Sequence, residues 1–249
     1  MWDFLNRGRE RCWELHKKYY EQAGYKHFQG QYRETITKKL RPDDWLLDAG
    51  CGADLEFTRE FQPQVRMAVG VDVDPFNQGS SPPFAIRADL GALPFKSGTF
   101  HMVISISVIE HLSHPESVFK EFSRVLCANG ALILQTPNKF DYVSLIAHLT
   151  PFRFHQWILW CLLGRKMETT FPTHFRANSK KSMRSFMESN GLIPEDILLM
   201  NQYPSYFMFS PLLFRLGMLY ERLTTKFESL AQLRGWIFAV GIKKEKGGT

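Results

Sequence analysis

The chain has 249 residues, 44% of them hydrophobic, with a formal net charge of +6 and a pI near 9.1, which provides for one large α/β domain and points weakly to an anionic partner or surface. Its four cysteines (Cys12, Cys51, Cys127, Cys161) lie far apart with no CxxC pair, which argues against a zinc site or a disulfide framework and fits a reducing cytosol. No apolar signal segment opens the sequence and no run of about 18 apolar residues occurs, so neither a signal peptide nor a spanning helix is expected.

In chain order, apolar and aromatic groups at Trp2, Leu5, Cys12, Trp13 and Tyr19 or Tyr20 predict a helix from Trp2 to about Tyr20, with Gly8 and Gly24 as weak points. A second helix is expected from Gln31 to Leu40, closed by Arg41-Pro42-Asp43-Asp44. Trp45 to Ala49 is a short apolar run carrying Asp48, the pattern of a buried parallel strand. Gly50 and Gly52 follow, where a strand must turn sharply toward a helix that runs to about Phe61. Ala68 to Asp74 reads as the second strand and Phe84 to Arg87, after the Pro82-Pro83 break, as the third.

Phe100 to Ser107 is the fourth strand, and His101 at its entry reads as a surface or capping histidine. A helix from Pro115 to Cys127 burying Val118, Phe122 and Val125 is expected to end at Asn129-Gly130. Ala131 to Leu134 is the fifth strand, closing with Gln135-Thr136-Pro137-Asn138. Asp141 to Gly164 then reads as two short apolar helices joined at Thr150-Pro151-Phe152 and rich in aromatics (Tyr142, Phe152, Phe154, Trp157, Trp160). Phe171 to Asn178 leads to a helix starting near Ser179 or Lys180. Leu192 to Gln202 and Trp236 to Ile242 are the last strands. Between them Ser210-Pro211 opens a helix with Leu212, Leu216, Leu219, Leu223, Phe227 and Leu230 in one stripe and Gly235 as its expected C-cap.

The chemistry begins with Gly50 and Gly52, where a ligand can approach the backbone closely. Asp72, at the tip of the second strand, lies 72 − 50 = 22 residues beyond Gly50, close to the spacing of a nucleoside-binding βαβ unit. An acid there accepts hydrogen bonds from a ribose diol. The third glycine of a dinucleotide fingerprint is replaced by Leu55, and no GxxxxGK[ST] loop occurs, which tells against a dehydrogenase and a triphosphate cradle.

LLDAGCG, GVDVDP, ADLGALPF and IEHL, in that order between Leu46 and Asn138, resemble the class I S-adenosylmethionine (SAM) dependent methyltransferases, small-molecule type, similar to the type 11 methyltransferase domain family. The resemblance implies an α/β, Rossmann-like sheet of seven mostly parallel strands, helices on both faces and a helical lid. One domain over residues 1–249 is expected: N-terminal helices 1–44, cofactor core 45–138, lid insertion 139–180, and a C-terminal part 181–249 with an amphipathic helix at about 211–234. It implies SAM as cofactor and S-adenosylhomocysteine as product, with Asp72 on the ribose, Asp89 on the adenine amino group, and Gly50, Cys51 and Gly52 along the methionine and ribose. Asp48 would support the loop or reach the methionine ammonium through water; Val73, Leu90 and Ser105 complete the expected contacts, and no metal is expected. The sequence departs from the family pattern at Asp54, where a third glycine is usual; that acid would face the methionine ammonium or cap the next helix.

His111, in IEHL, is a candidate general base, or else with Glu110 a structural pair that positions a loop and the methionine end. His174 is a second candidate base; with Arg176 it would orient an anionic or hydroxylated substrate, or Arg176 pairs with an acid. The fourth strand ends in Ser105-Ile106-Ser107-Val108, not the N/D-P-P-aromatic clamp of base and amide methylation, and no Pro-Cys pair offers a C5 nucleophile. The expected function is methyl transfer to oxygen, nitrogen or carbon of a small, lipophilic or lipid-linked acceptor, without nucleic acid. RNA or protein methylation and a non-catalytic scaffold are the alternatives. A cytoplasmic location is expected, with the last amphipathic helix meeting a membrane surface, a second copy or the core; the oligomeric state is open.

Overall fold

A computed structural model of the chain describes residues 2–22, 28–77, 84–149 and 172–245. The second predicted lid helix, its aromatics Phe152, Phe154, Trp157 and Trp160, the Pro82-Pro83 break, Gly24, Phe171 and Cys161 lie outside the described residues. Helices α1 (Trp2–Tyr20) and α2 (Phe28–Lys39) precede β1 (Trp45–Ala49), α3 (Glu56–Phe61), β2 (Met67–Asp72), β3 (Ala85–Arg87) and β4 (Phe100–Ile106). Then follow α4 (Pro115–Val125), β5 (Leu126–Pro137), α5 (Tyr142–Leu149), α6 (Lys180–Ser189), β6 (Leu192–Met200), α7 (Pro211–Lys226) and β7 (Trp236–Lys243).

The strands form one seven-stranded sheet in the order β3-β2-β1-β4-β5-β7-β6. β1 lies between β2 and β4, parallel to both, with Leu47 opposite Val69 on one side and Val103 on the other. Such strands are buried on both faces, which explains why WLLDA, MAVGVD and FHMVISI read as near-continuous apolar runs. The chain leaves β1 toward one side of the sheet and β4 continues on the other. Their carboxyl ends therefore flank a topological switch point, the usual crevice for a ligand in an open α/β sheet.

Two boundaries differ from the sequence expectation. Helix α4 ends at Val125 and not at Asn129-Gly130, because Leu126 is extended and pairs with Phe100. The ladder then shifts register before Ala131 meets Met102, and Asn129 takes up the irregularity at φ 61°. The helix expected over about 211–234 stops at Lys226 and gives way to a 3₁₀ segment, Glu228–Leu233. The Arg234 guanidinium folds back over that end, donating to the Thr224 carbonyl at 3.0 Å and to Glu228 at 2.6 Å. A cation there satisfies a carbonyl the helix leaves unpaired.

The chain divides into two compact units. One is helical and collects Met1–Gln31, Asn138–Pro172 and Leu199–Trp236; the other carries the sheet and collects Tyr32–Pro137, Thr173–Leu198 and Ile237–Thr249. In the helical unit Cys12 and Tyr20 of α1 pack on Phe214 and Met218 of α7, with Tyr203 and Phe207 around them. In the sheet unit α3 packs close over β2 at Gly70. A Cβ built there meets Leu55 Cδ2 at 2.5 Å and both Cys51 Sγ and Thr58 Oγ1 at 2.9 Å. Gly70→Ala should therefore destabilise the fold by about 1–3 kcal/mol, seen as a lower urea midpoint with an unchanged slope.

Candidate functional site

The site is built on the loop after β1. Gly50 and Gly52 sit at φ 78° and 68°, the left-handed region that glycine enters without strain. At Gly50 a side chain has no room, since a Cβ would lie 2.2 Å from Val108 Cγ2 on the loop after β4. At Gly52 the place of a Cβ has no atom within 4 Å, so that backbone borders open space. The Gly50 and Cys51 amides both donate to the Val71 carbonyl, at 2.8 and 3.2 Å, which ties the loop to β2.

Asp72 stands directly against this loop. Its Oδ2 accepts from the Gly52 amide at 2.8 Å and its Oδ1 from the Asp74 amide at 3.0 Å, so the carboxylate is fixed while each oxygen keeps a further lone pair. Val73 beside it is exposed, and Leu90 is buried. Asp89 is exposed, with Oδ1 held by the Gly91 amide at 2.8 Å. Asp54 does not cap α3, whose first turn follows Leu55 without a side-chain cap; it accepts from Asn77 Nδ2 at 2.6 Å instead.

Beneath the loop the polar groups are buried. Ser105 is fully buried and donates to the Ala49 carbonyl at 2.7 Å, so its hydroxyl supports the loop from below. Asp48 accepts from the Thr58 hydroxyl at 2.7 Å through Oδ2, while Oδ1 has no hydrogen-bond partner among the described residues. Burial, reinforced by the nearby Asp72 charge and opposed by Thr58, pushes the Asp48 carboxyl up to about 7. The Tyr32 phenol is likewise buried, and burial with the Asp48 charge raises it well above the usual phenol range.

A second cluster follows β4. Glu110 is buried; Oε2 accepts from the Thr136 hydroxyl at 2.9 Å and Oε1 lies 3.8 Å from His111 Nε2. Its backbone carbonyl accepts from the amides of His174 and Phe175 at 2.7 and 3.2 Å. Burial raises the Glu110 carboxyl, with His111 pulling the other way. Asn178 donates to Thr136 Oγ1 at 2.6 Å and to the Pro137 carbonyl at 2.9 Å, and Ser179 caps α6 reciprocally with Ser182. Thus the loops of both candidate bases are joined through one residue, although the His174 side chain itself is exposed. Glu110 was expected as the structural partner of His111, whereas Thr136, Asn178 and Gln135 were not among the expected site residues. Gln135 is fully buried, and neither of its amide atoms has a partner among the described residues.

The arrangement fits SAM. An unpartnered buried carboxylate oxygen suits a nearby cation, a fixed half-exposed carboxylate suits a diol, and an open glycine backbone admits close approach. Among the described residues no group of three or more His, Cys, Asp or Glu side chains is arranged to hold a metal ion.

The profile of a family described as a methyltransferase domain matches residues 22–195. The chain belongs to that family. It is 28% identical over 128 residues to an uncharacterized protein of Methanocaldococcus jannaschii, covering 49% of this chain and 48% of the relative. The chain spans about half the length of the curated relatives it matches. A Haloferax volcanii chain solved in complex with the Trm112 methyltransferase activator has the same fold, at TM-score 0.59 and 13% identity over 99% of each chain. Geranyl diphosphate C-methyltransferase of Streptomyces coelicolor, solved with S-adenosyl-L-homocysteine, Mg2+ and geranyl diphosphate, matches at TM-score 0.53 and 16% identity, covering 86% of this chain and 79% of that one. The fold is that of the class I methyltransferases, and SAM is the cofactor of the class.

An acid whose folded value lies above its unfolded one holds its proton longer in the folded state. Asp48 therefore favours folding most below about pH 4, and that contribution is lost as pH rises toward about 7. Asp48→Asn removes a buried charge and keeps an acceptor for Thr58. Without cofactor it should gain about 1–4 kcal/mol in urea unfolding near pH 8 and change little near pH 4.

Proposed function

We propose that the chain transfers the methyl group of SAM to a small or lipophilic acceptor. The observation that carries the cofactor half is the contact between the β1 loop and Asp72, with Gly52 open on its other side. When bound, SAM supplies an electrophilic methyl group on a sulfonium. Asp72 holds the ribose diol, Asp89 takes the adenine amino group, and Val73 and Leu90 offer apolar contact to the ring. The backbone of Gly50, Cys51 and Gly52 would lie along the methionine and ribose, with Ser105 holding the loop up and Asp48 supporting the loop or reaching the ammonium through water. Most of the acceleration then comes from holding donor and acceptor in line and excluding water.

A proton leaving a hydroxyl or amine acceptor would pass to the His111 imidazole, whose Nε2 lies 3.8 Å from the buried Glu110 carboxyl. Glu110 is a positioning residue in this reading. A lipophilic acceptor draws support from the fold relative that binds geranyl diphosphate. The second reading is a methyltransferase that works with a protein partner, as suggested by the relative complexed with an activator. Incubating extracts with deuterated-methyl SAM and the purified chain, then fractionating labelled products into lipid, small-molecule, RNA and protein pools, separates the two. Label in the organic-soluble pool supports the first; label only in RNA or protein, or none until a partner is added, overturns it.

Asp72→Ala leaves ribose hydroxyls unpaired, a loss on the order of 1–3 kcal/mol, so calorimetry should show SAM binding weakened roughly tenfold or more. Unchanged affinity would remove Asp72 from the site. His111→Ala should slow methylation roughly 10²-fold while SAM affinity barely moves. Loss of affinity in step with turnover would make His111 a positioning residue and leave His174 as the candidate base.

A further inference from the structure

The apolar stripe of α7 is not core. Leu212, Leu216, Leu219, Leu223 and Phe227 are between 41% and 69% exposed, while the helix packs through Phe214, Gly217, Met218 and Thr224. Spacings of four, three, four and four residues set the five on one face, along a helix about 24 Å long. Arg215, Arg222 and Lys226, all exposed, run down one flank of that face at positions three and four residues from the leucines. The acid of the helix, Glu221, is on the opposite side, where it accepts the Tyr20 hydroxyl. Every exposed charge of α7 is therefore positive.

Neighbouring groups extend the pattern. The Arg222 guanidinium stacks on the Tyr19 ring of α1 at 5.1 Å, and Lys226 lies over Phe227 at 5.5 Å. Tyr19 and Trp13 of α1 are exposed aromatics, and Lys17 and Lys18 add two exposed cations to the same helix. Arg222 and Lys226 also line a recess of about 600 Å³ between α1 and α7, together with Tyr19, Tyr20, Met218 and the acid Glu221. No helix among the described residues is long and apolar enough to cross a membrane.

We infer that this face of α7 docks on an anionic lipid bilayer, with the leucines and Phe227 entering the boundary between headgroups and acyl chains and the cation row meeting lipid phosphates. Charge selects this occupant. Along α7 the stripe is flanked by cations and no exposed acid, and Glu228 just beyond Phe227 is paired with Arg234; this is the composition of an interfacial helix, whose binding combines apolar burial with attraction to anionic lipid. Antiparallel pairing with a second copy would instead set one cation row against the other. The surface belongs to the helical unit alone and holds whatever the methyl acceptor is.

The test is co-sedimentation of the full chain with phosphatidylcholine vesicles, with and without phosphatidylglycerol, over a salt series. Binding should require the anionic lipid and weaken on the order of tenfold as salt rises, because screening removes the phosphate attraction. Leu216→Glu combined with Leu219→Glu should abolish it, with the circular dichroism spectrum and SAM affinity kept as controls on folding. Arg215→Glu with Lys226→Glu provides an independent check that leaves the apolar stripe intact, and it too should abolish binding to the anionic vesicles. Protein that stays in the supernatant with every vesicle at low salt overturns the proposal. So does equal binding to neutral and anionic vesicles, and so does a dimer dissociated by the leucine substitutions with no vesicle binding.

Discussion

The buried Glu110 carboxylate is the constraint on which the site geometry rests. A carboxylate taken out of water is tolerated only with its lone pairs engaged, and this one is engaged by Thr136 and faces His111. The same residue anchors the chain at His174 and Phe175 through its carbonyl. Thr136 passes the constraint to Asn178, and Asn178 precedes the reciprocal cap that starts α6. The loop after β4, the end of β5 and the stretch leading into α6 are thus held by one connected set of polar groups. Partial removal of such a set leaves buried atoms unpaired, so its members stand or fall together.

Against that fixed edge, the β1 loop supplies the open one. Gly50 is closed in by Val108 and Gly52 is not, so two glycines of the same backbone class do different work. The first lets the loops after β1 and β4 touch. The second leaves backbone bare toward a ligand and gives its amide to Asp72. Asp48 and Gln135 have buried polar atoms with no partner among the described residues near the ends of their strands, a cost that a folded chain accepts where a ligand supplies the partner.

Much of this edge was legible in the sequence because its signals are local. Apolar runs marked the strands, the glycine spacing marked the turn, and the distance to Asp72 marked the acid that meets the glycine loop. The Glu110 network was not legible, since its bonds join residues 26 and 42 positions apart and no periodicity links them. Asn178 read only as the approach to a helix. The end of α4 was misplaced because Asn129-Gly130 looks like a helix stop, whereas the pull of Phe100 on Leu126 comes from a neighbouring strand. For α7, periodicity established that the leucines share a face. It carried no information on whether that face looks inward, which depended on where Phe214 and Met218 found partners.

The division of each unit among three stretches of chain has a consequence for how the protein is made. Tyr20 of α1 meets Glu221 of α7 across 201 residues of sequence, and Cys12 meets the Phe207 carbonyl across 195. Helix α1 is therefore synthesised long before the surface it packs on exists. Until α7 emerges, Cys12 and Tyr20 have no native cover, and the helical unit cannot be cut out as one continuous fragment. Contacts of such separation slow folding through the entropy of closing long loops, and they expose apolar surface while the ribosome is still at work. The sheet unit also waits, for β7, which lies between β5 and β6 in the sheet although it comes last in the chain. Completion of both units thus falls to the late part of the chain, and a chain that stops before Pro211 has neither α7 nor β7 to close them.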